Sequence, residues 1–398
     1  MFRFLTAGES HGQGLTAILE GIPAGLTLSA DDINHHLYRR QQGYGRGGRM
    51  KIEQDRVILR SGVRHGRTLG SPITLEIENK DWANWQTKMN PAPVEEVMEP
   101  VTLPRPGHAD FAGAIKYGHN DIRNVIERSS ARETAARVAV GAVCQVFLRA
   151  CGVQVHSHVL SIGPVGYRES EHSAIRQVFS EDYWQQVEDS PVRCGDSALE
   201  AQMIAHIQHS KTLGETCGGV IEVVATGVPI GLGSYSQWDR RLSARLAFAM
   251  MSIPSVKGVE LGSGFASTAQ PGSQVHDVLE LSAAEGWQHR SNNAGGVEGG
   301  MSNGAPIIVR GAVKPISTLA HPLPTVNLQT RENVPVGRYE RSDVCVVPAA
   351  GVVGEAVVAI VLAEAWLEKF GGDSMAEMLA HAQAAHKSQH SAEHLSLL

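Results

Sequence analysis

Cysteine is scarce in this chain and shows no pairing pattern. The five cysteines (Cys144, Cys151, Cys194, Cys217 and Cys345) are odd in number, widely spaced and form no CxxC. That excludes a disulfide framework or a zinc ribbon and fits reduced thiols in a cytoplasm. Aromatic residues make up only 5% of the 398 positions, and the formal net charge is −6. Both weigh against nucleic acid as the main partner, because phosphate-backbone binding wants a basic surface and single-strand binding wants stacking rings. No uninterrupted apolar run reaches membrane-spanning length, and the N-terminal run is too short for a signal peptide. There is no P-loop and no recognisable NAD(P)H motif, and the glycine-dense stretch Ser291 to Gly304 resembles neither a P-loop nor GxGxxG. What remains is an ordinary globular composition, 42% hydrophobic and 19% charged, in a chain long enough for one large domain or two to three small ones.

What the chain has in quantity is glycine, 42 residues of it, and arginine placed among the glycines. The densest case is Arg39 to Lys51, Arg-Arg-Gln-Gln-Gly-Tyr-Gly-Arg-Gly-Gly-Arg-Met-Lys. Glycine lets a backbone approach a ligand closely, and the guanidinium fork meets carboxylate or phosphate through two hydrogen bonds. Such a loop suits a small polyanion. A solvated basic loop and an RGG-like nucleic-acid segment are the competing readings of these residues alone.

Other polar groups stand on constrained turns. Arg3 to Thr6 reads as a strand running into Gly8-Glu9-Ser10-His11-Gly12, which displays Ser10 and His11 at a strand end or is simply a polar turn. Ser29 predicts the N-cap of a helix over Ala30 to Gln42. Val57–Ser61 and Pro72–Glu78 read as strands, the second alternating through Ile73, Leu75 and Ile77. Residues 81–102 have no clean period and read as a surface excursion. It leads to Pro104-Arg105-Pro106-Gly107-His108-Ala109-Asp110, where prolines and glycine fix His108 for either proton transfer or a structural role. One helix is expected from Asp121 to Ala150, placing Arg128 and Arg132 four residues apart as like charges that an anion between them would relieve. His156 and His158 share one face of a strand, without a third ligand nearby to make a metal site. Glu171–Val187 and Ser197–Leu213 read as helices, Gly218–Leu232 as β-rich and Pro306–Val309 as a strand, and Arg341-Ser342-Asp343 leads through Val344–Val347 to an apolar helix over Gly354–Phe370. Gly21-Ile22-Pro23-Ala24-Gly25-Leu26 is echoed by Gly227-Val228-Pro229-Ile230-Gly231-Leu232, each copy expected to precede a helix bearing an arginine pair (Arg39-Arg40 and Arg240-Arg241), a hint of two related halves. The tail after Asp373, with His386, His390 and His394 at helical spacing, is expected to be flexible.

Seven segments together resemble the chorismate synthase family: Gly8 to Gly12, Gly43 to Met50, Arg105 to Asp110, Glu127 to Thr134, Gly295 to Gly300, Lys314 to Thr318 and Arg341 to Asp343. They run in family order over most of the chain. The resemblance implies an α/β (α+β) fold, a single-domain β-α-β-α sandwich with internal duplication over residues 1–398, assembling as a homotetramer. It implies a carbon–oxygen lyase of the shikimate pathway to aromatic amino acids. The reaction is trans-1,4-elimination of phosphate from 5-enolpyruvylshikimate 3-phosphate to give chorismate, dependent on reduced FMN. By the family pattern His11 protonates the departing phosphate, His108 tunes the flavin, and Ser10, Ser129 and Asp343 orient flavin and substrate. Arg40, Arg46, Arg49, Arg105 and Arg132 bind the substrate anions. FMN touches Arg128, Ser129, Ser130, Pro254, Ser255, Gly299, Lys314, Pro315, Ile316, Ser317, Thr318 and Arg341. No metal is implied, and NADPH enters only as an indirect reductant through a separate flavin reductase. A flavin- or nucleotide-binding module is the alternative from another class, but it has no need of His11 and His108.

Overall fold

The computed structural model describes residues 1–47, 54–95, 98–167, 179–282, 286–340 and 342–390. Two antiparallel sheets form its frame. The first holds β1 (Arg3–Gly8), β2 (Gly14–Glu20), β3 (Val57–Ser61) and β4 (Ile73–Glu78) in the order β1-β2-β4-β3. The second holds β5 (Gln154–Ile162), β6 (Val165–Gly166), β7 (Gly219–Thr226), β8 (Val256–Leu261) and β9 (Ile307–Val313) in the order β8-β9-β7-β5-β6. The alternation read in β4 is real. Ile73, Leu75 and Ile77 are each 1% exposed, and burial of such side chains stabilises by about 1.5–3 kcal/mol each.

Between the sheets lies a double layer of helices. On the first sheet rest α1 (Ala30–Gln41) and, after the short α2 (Asp110–Tyr117) and α3 (Arg123–Ser129), α4 (Thr134–Ala150). Outside the second sheet packs α5 (Glu181–Asp189), whose Trp184 and Val187 meet Val224, and α6 (Ser197–Thr212) lies near its β5–β6 edge. Its inner face receives α7 (Leu242–Met251) and α8 (Val347–Phe370). The succession is therefore sheet, helices, sheet, helix. The crossing of α4 and α8 is close. A side chain at Gly141 would put its Cβ 2.4 Å from that of Ala356, so only glycine fits there. By length and composition α8 is apolar enough to cross a membrane, but 89% of its most apolar stretch is buried within this core.

Local signals explain most boundaries. Ser29 caps α1 as expected, and Asp32 returns the bond to the Ser29 backbone N–H to complete a capping box. The echoed hexapeptides adopt matching backbones. Gly21 and Gly227 follow strands β2 and β7 with φ of 100° and 73°, and Gly25 and Gly231 have φ of 90° and 87°. Ile22, Leu26, Val228 and Leu232 are all buried.

Several expectations need correction. The helix expected over 121–150 is broken, because Ser130 is extended (φ −61°, ψ 142°) and its hydroxyl accepts the Arg132 N–H, opening a 3₁₀ turn over Ala131–Glu133. Arg128 and Arg132 are thus not helical neighbours. Arg240 and Arg241 precede α7 rather than lying in it. Cys345 makes one isolated bridge to Cys217, and α8 begins seven residues before the expected start, with Pro348 in its first turn. α5 begins only at Glu181, capped by Ser180, and the stretch 171–178 of the expected helix lies outside the described residues. Asp196 caps α6, a signal the sequence reading passed over. The described part of the tail after Asp373 is helical rather than loose. Residues Met375–His390 form α9, anchored by buried Met375 and Met378 and by a Ser374–Ala24 bridge. His394 is outside the described residues.

Candidate active site

The β1–β2 turn carries Ser10 and His11 to the N-terminal side of α4. The His11 backbone N–H donates to Glu127 Oε2 at 2.8 Å, and its ring Nδ1 lies 3.0 and 2.9 Å from the two Glu127 oxygens. Glu127 is buried at the end of α3. Burial alone would raise its carboxyl, but the hydrogen bonds and charge of His11, with Arg123 behind, hold it below the usual range. Ser10 is buried, and its N–H donates to the Glu127 carbonyl at 2.9 Å.

Beneath this turn is an ionic floor. Asn79, just past β4, donates to the carbonyls of Glu9 and Gly12 at 3.0 and 2.8 Å and accepts from Arg132 at 3.0 and 2.8 Å. Arg132 also pairs with the fully buried Asp55. Arg40 at the end of α1 reaches the same Asp55 at 3.4 Å, and donates to Thr134 Oγ1 and the Ala131 carbonyl at 2.9 Å each. Burial, with Arg132 and Arg46 nearby outweighing Asp55, pushes Arg40 down to about 10, so it stays charged at neutral pH. The loop beyond α1 continues to Arg46, 3.3 Å from Asp343, and the Gly47 N–H donates to that carboxylate at 2.6 Å. Arg39 points away from this group, into a pairing with Glu188 and Glu355.

A second histidine–carboxylate pair stands on the Pro104–Asp110 turn. His108 Nδ1 is 2.5 Å from Asp110 Oδ1, while Arg105 holds the same carboxylate at 2.8 and 3.1 Å. Burial opposes ionisation of Asp110, but these two partners drive it well below the carboxylate range. Arg105 also reaches Thr318 Oγ1 at 3.3 Å and Glu340 at 3.5 Å, and Lys314 Nζ donates to the Gly107 carbonyl at 3.1 Å. The Lys314–Thr318 turn therefore abuts the His108 turn. Glu340 on Arg105 and Asp343 on Arg46 are three residues apart, so the two groups of side chains lie within about 11 Å of chain.

The remaining sites expected from sequence are more scattered. Arg128 is exposed and donates to the Gly8 and Thr6 carbonyls and to Thr6 Oγ1 at 2.9–3.0 Å. The Ser129 hydroxyl donates to the Val125 carbonyl at 2.7 Å. Ser255, following Pro254, takes φ of 73°, and its carbonyl accepts the Lys314 N–H at 2.8 Å. Gly299 turns the hairpin between Val297–Glu298 and Met301–Ser302 with φ of 58°, and open space lies where a side chain would be. Arg49 and Arg341 lie outside the described residues. His156 stacks on Trp184 and His158 binds Glu222. Among the described residues no three potential ligands gather into a metal site.

The family model for chorismate synthase matches residues 2–367. The chain belongs to the chorismate synthase family. It is 56% identical over 387 residues to the chorismate synthase of Syntrophotalea carbinolica, covering 96% of this chain and 97% of that protein. It is 54% identical to that of Aquifex aeolicus, with 94% and 95% covered. A crystal structure of chorismate synthase superposes with a TM-score of 0.78 at 45% identity, covering 96% of this chain and 97% of the other. Chorismate synthases are carbon–oxygen lyases, and the mixed α/β architecture is shared.

Four residues that sequence reasoning missed shape this chorismate synthase site. Glu127 entered only as the first residue of a matching segment, and Asp55, Asn79 and Trp85 were not singled out. The 81–102 stretch reads from sequence as a surface excursion, yet Trp85 stacks on His11 with ring centroids 3.9 Å apart. No local pattern signals contacts that span 53 to 116 residues of chain.

Proposed function

We infer that this chain converts 5-enolpyruvylshikimate 3-phosphate to chorismate by losing phosphate and a ring proton in a trans-1,4-elimination. The observation that carries the reading is the paired arrangement of His11 on Glu127 and His108 on Asp110, each joined through Nδ1 to a buried acid. A carboxylate on Nδ1 fixes the ring proton there and compensates an imidazolium that donates from Nε2. In this reading His11 gives its Nε2 proton to the phosphate oxygen as the carbon–oxygen bond breaks. Arg46 and Arg105 hold substrate anions. Arg40 and Arg132, anchored on Asp55, supply a fixed positive field below them, and Arg49 completes the loop. Each charge-assisted contact is worth about 1.5–3 kcal/mol, so a substrate with two carboxylates and a phosphate needs several.

The residues suit reduced FMN. Lys314 is pushed down by partial burial and by Lys257, so two cations share a place that an anion would relieve. Gly299 offers open backbone, and Ser317 and Thr318 offer hydroxyls beside His108. Lys314, Pro315, Ile316, Ser317 and Thr318 would hold the cofactor with Pro254, Ser255, Gly299, Arg128, Ser130 and Arg341. Reduced FMN, when bound, supplies transient electron density and a base for the ring proton. Ser10, Ser129 and Asp343 orient the partners, and His108 would tune the reduced flavin. NADPH serves only through a separate reductase.

Assembly as a homotetramer agrees with the uncovered face of the first sheet, where Leu5, 77% exposed, pairs with Ile18. A cytoplasmic setting agrees with five free cysteines. The test is an anaerobic assay with chemically reduced FMN and the phosphorylated substrate, with and without NADPH. Chorismate absorbance should grow with reduced flavin alone. A flavin-binding module would bind FMN and form no chorismate.

A further inference from the structure

We propose that Trp85 is a positioning residue that sets the plane of the His11 imidazole, a role that rests on the reading of His11 as the acid for phosphate departure. The two rings stack at 3.9 Å with an interplanar angle of 23°. Trp85 is itself held from three sides. Its indole N–H donates to Asp81 Oδ2 at 3.0 Å, and the Arg123 guanidinium carbon and Lys88 Nζ lie 5.2 and 5.4 Å from its ring. Arg123 also donates to Glu127 Oε1 at 3.3 Å. The contacts close into a ring: His11 to Glu127, Glu127 to Arg123, Arg123 to Trp85, and Trp85 back to His11.

The geometry gives each member a distinct task. A ring tethered only at Nδ1 can still pivot about that hydrogen bond, swinging Nε2 through an arc. An aromatic plane laid on its face blocks the pivot and leaves Nε2 one direction. Proton transfer depends steeply on such alignment, and a misplacement of about 1 Å can cost on the order of 100-fold. Trp85 has little other work. Trp85 caps the C-terminal end of the 3₁₀ turn Lys80–Asn84, is itself only half-buried and belongs to none of the hydrophobic clusters, so its indole is not serving a core.

The test combines kinetics with a measurement on the flavin-free protein. Trp85→Ala should lower kcat by roughly 10–100-fold with KM and flavin affinity little changed, and Trp85→Phe should restore most of the loss. In a His11→Ala background Trp85→Ala should cost nothing further, since residues acting as a unit are non-additive. In protein labelled at histidine and without flavin or substrate, the His11 Cε1–H resonance should carry a ring-current shift. That shift should vanish in Trp85→Ala and persist in Trp85→Phe. If Trp85→Ala keeps normal kcat, or lowers activity equally with and without His11, the positioning role is overturned while His11 keeps its own. If His11→Ala alone keeps normal turnover, the catalytic reading fails first and the proposal with it.

Discussion

Arg132 and Asp55 form an ion pair almost wholly withdrawn from solvent, the guanidinium side chain 3% exposed and the carboxylate not at all. Two arginines depend on that one acid, because Arg40 shares it. Asp55→Ala should therefore strand two buried charges and destabilise the fold by about 3–5 kcal/mol, measured by denaturant unfolding. Adding Arg132→Met should recover part of the loss, and a double-mutant cycle reads the coupling. Simple additivity would show that the pair is not coupled as drawn.

The fold was legible where the signal was local. The N-cap at Ser29, the alternation in β4 and the echo of the two hexapeptides each rest on a few residues. The site was legible only in its display elements, such as the turns bearing His11 and His108. Its support was not. Glu127, Asp55, Asn79 and Trp85 gain meaning only when chain closure brings them beneath or over those turns. The broken helix at Ser130 failed for the opposite reason, because a hydroxyl capping Arg132 won over a run of good helix formers.

Arg46 should report on substrate more than on stability. It lies on a glycine-rich loop with Asp343 as its ion-pair partner. Arg46→Ala should weaken binding of the phosphorylated substrate by roughly 10–150-fold, the equivalent of one charged contact, while the unfolding midpoint moves little. Arg46→Lys should fall between, since it keeps the charge and loses the fork. Unchanged affinity in a flavin-signal titration would remove Arg46 from the anion clamp.

Lys314 and Ser317 should separate flavin from substrate. Lys314→Met and Ser317→Ala are expected to lower FMN affinity more than affinity for the phosphorylated substrate. Calorimetry with each ligand alone decides it. The reverse order would exchange the two subsites.

Acid sensitivity should trace in part to Glu222. Burial would raise its carboxyl from 4.5, but His158 and Arg310 bring it down to about 2. An acid depressed in the folded state adds stability that is complete above its unfolded value and is lost as pH falls through the folded one. That loss should therefore run from about pH 4.5 to about pH 2. Glu222→Gln should be less stable at pH 7, with its deficit against the parent shrinking between pH 5 and pH 3 in urea titrations. A constant deficit would mean that the shift plays no part.

The two histidine–carboxylate pairs look alike but differ in what else the acid holds. His11→Ala and His108→Ala should each lose roughly 10²–10⁴-fold in turnover while still binding flavin and substrate. Their acids should diverge. Glu127 serves His11 and Arg123, so Glu127→Gln should fall mainly on kcat. Asp110 also anchors Arg105 at 2.8 and 3.1 Å, so Asp110→Asn should free that arginine and raise KM as well. Steady-state kinetics with chemically reduced FMN checks both. Near-normal turnover in both histidine variants would make the rings structural and leave the arginines to carry the reaction. A pure kcat effect in Asp110→Asn would show that Arg105 binds substrate without the help of its carboxylate.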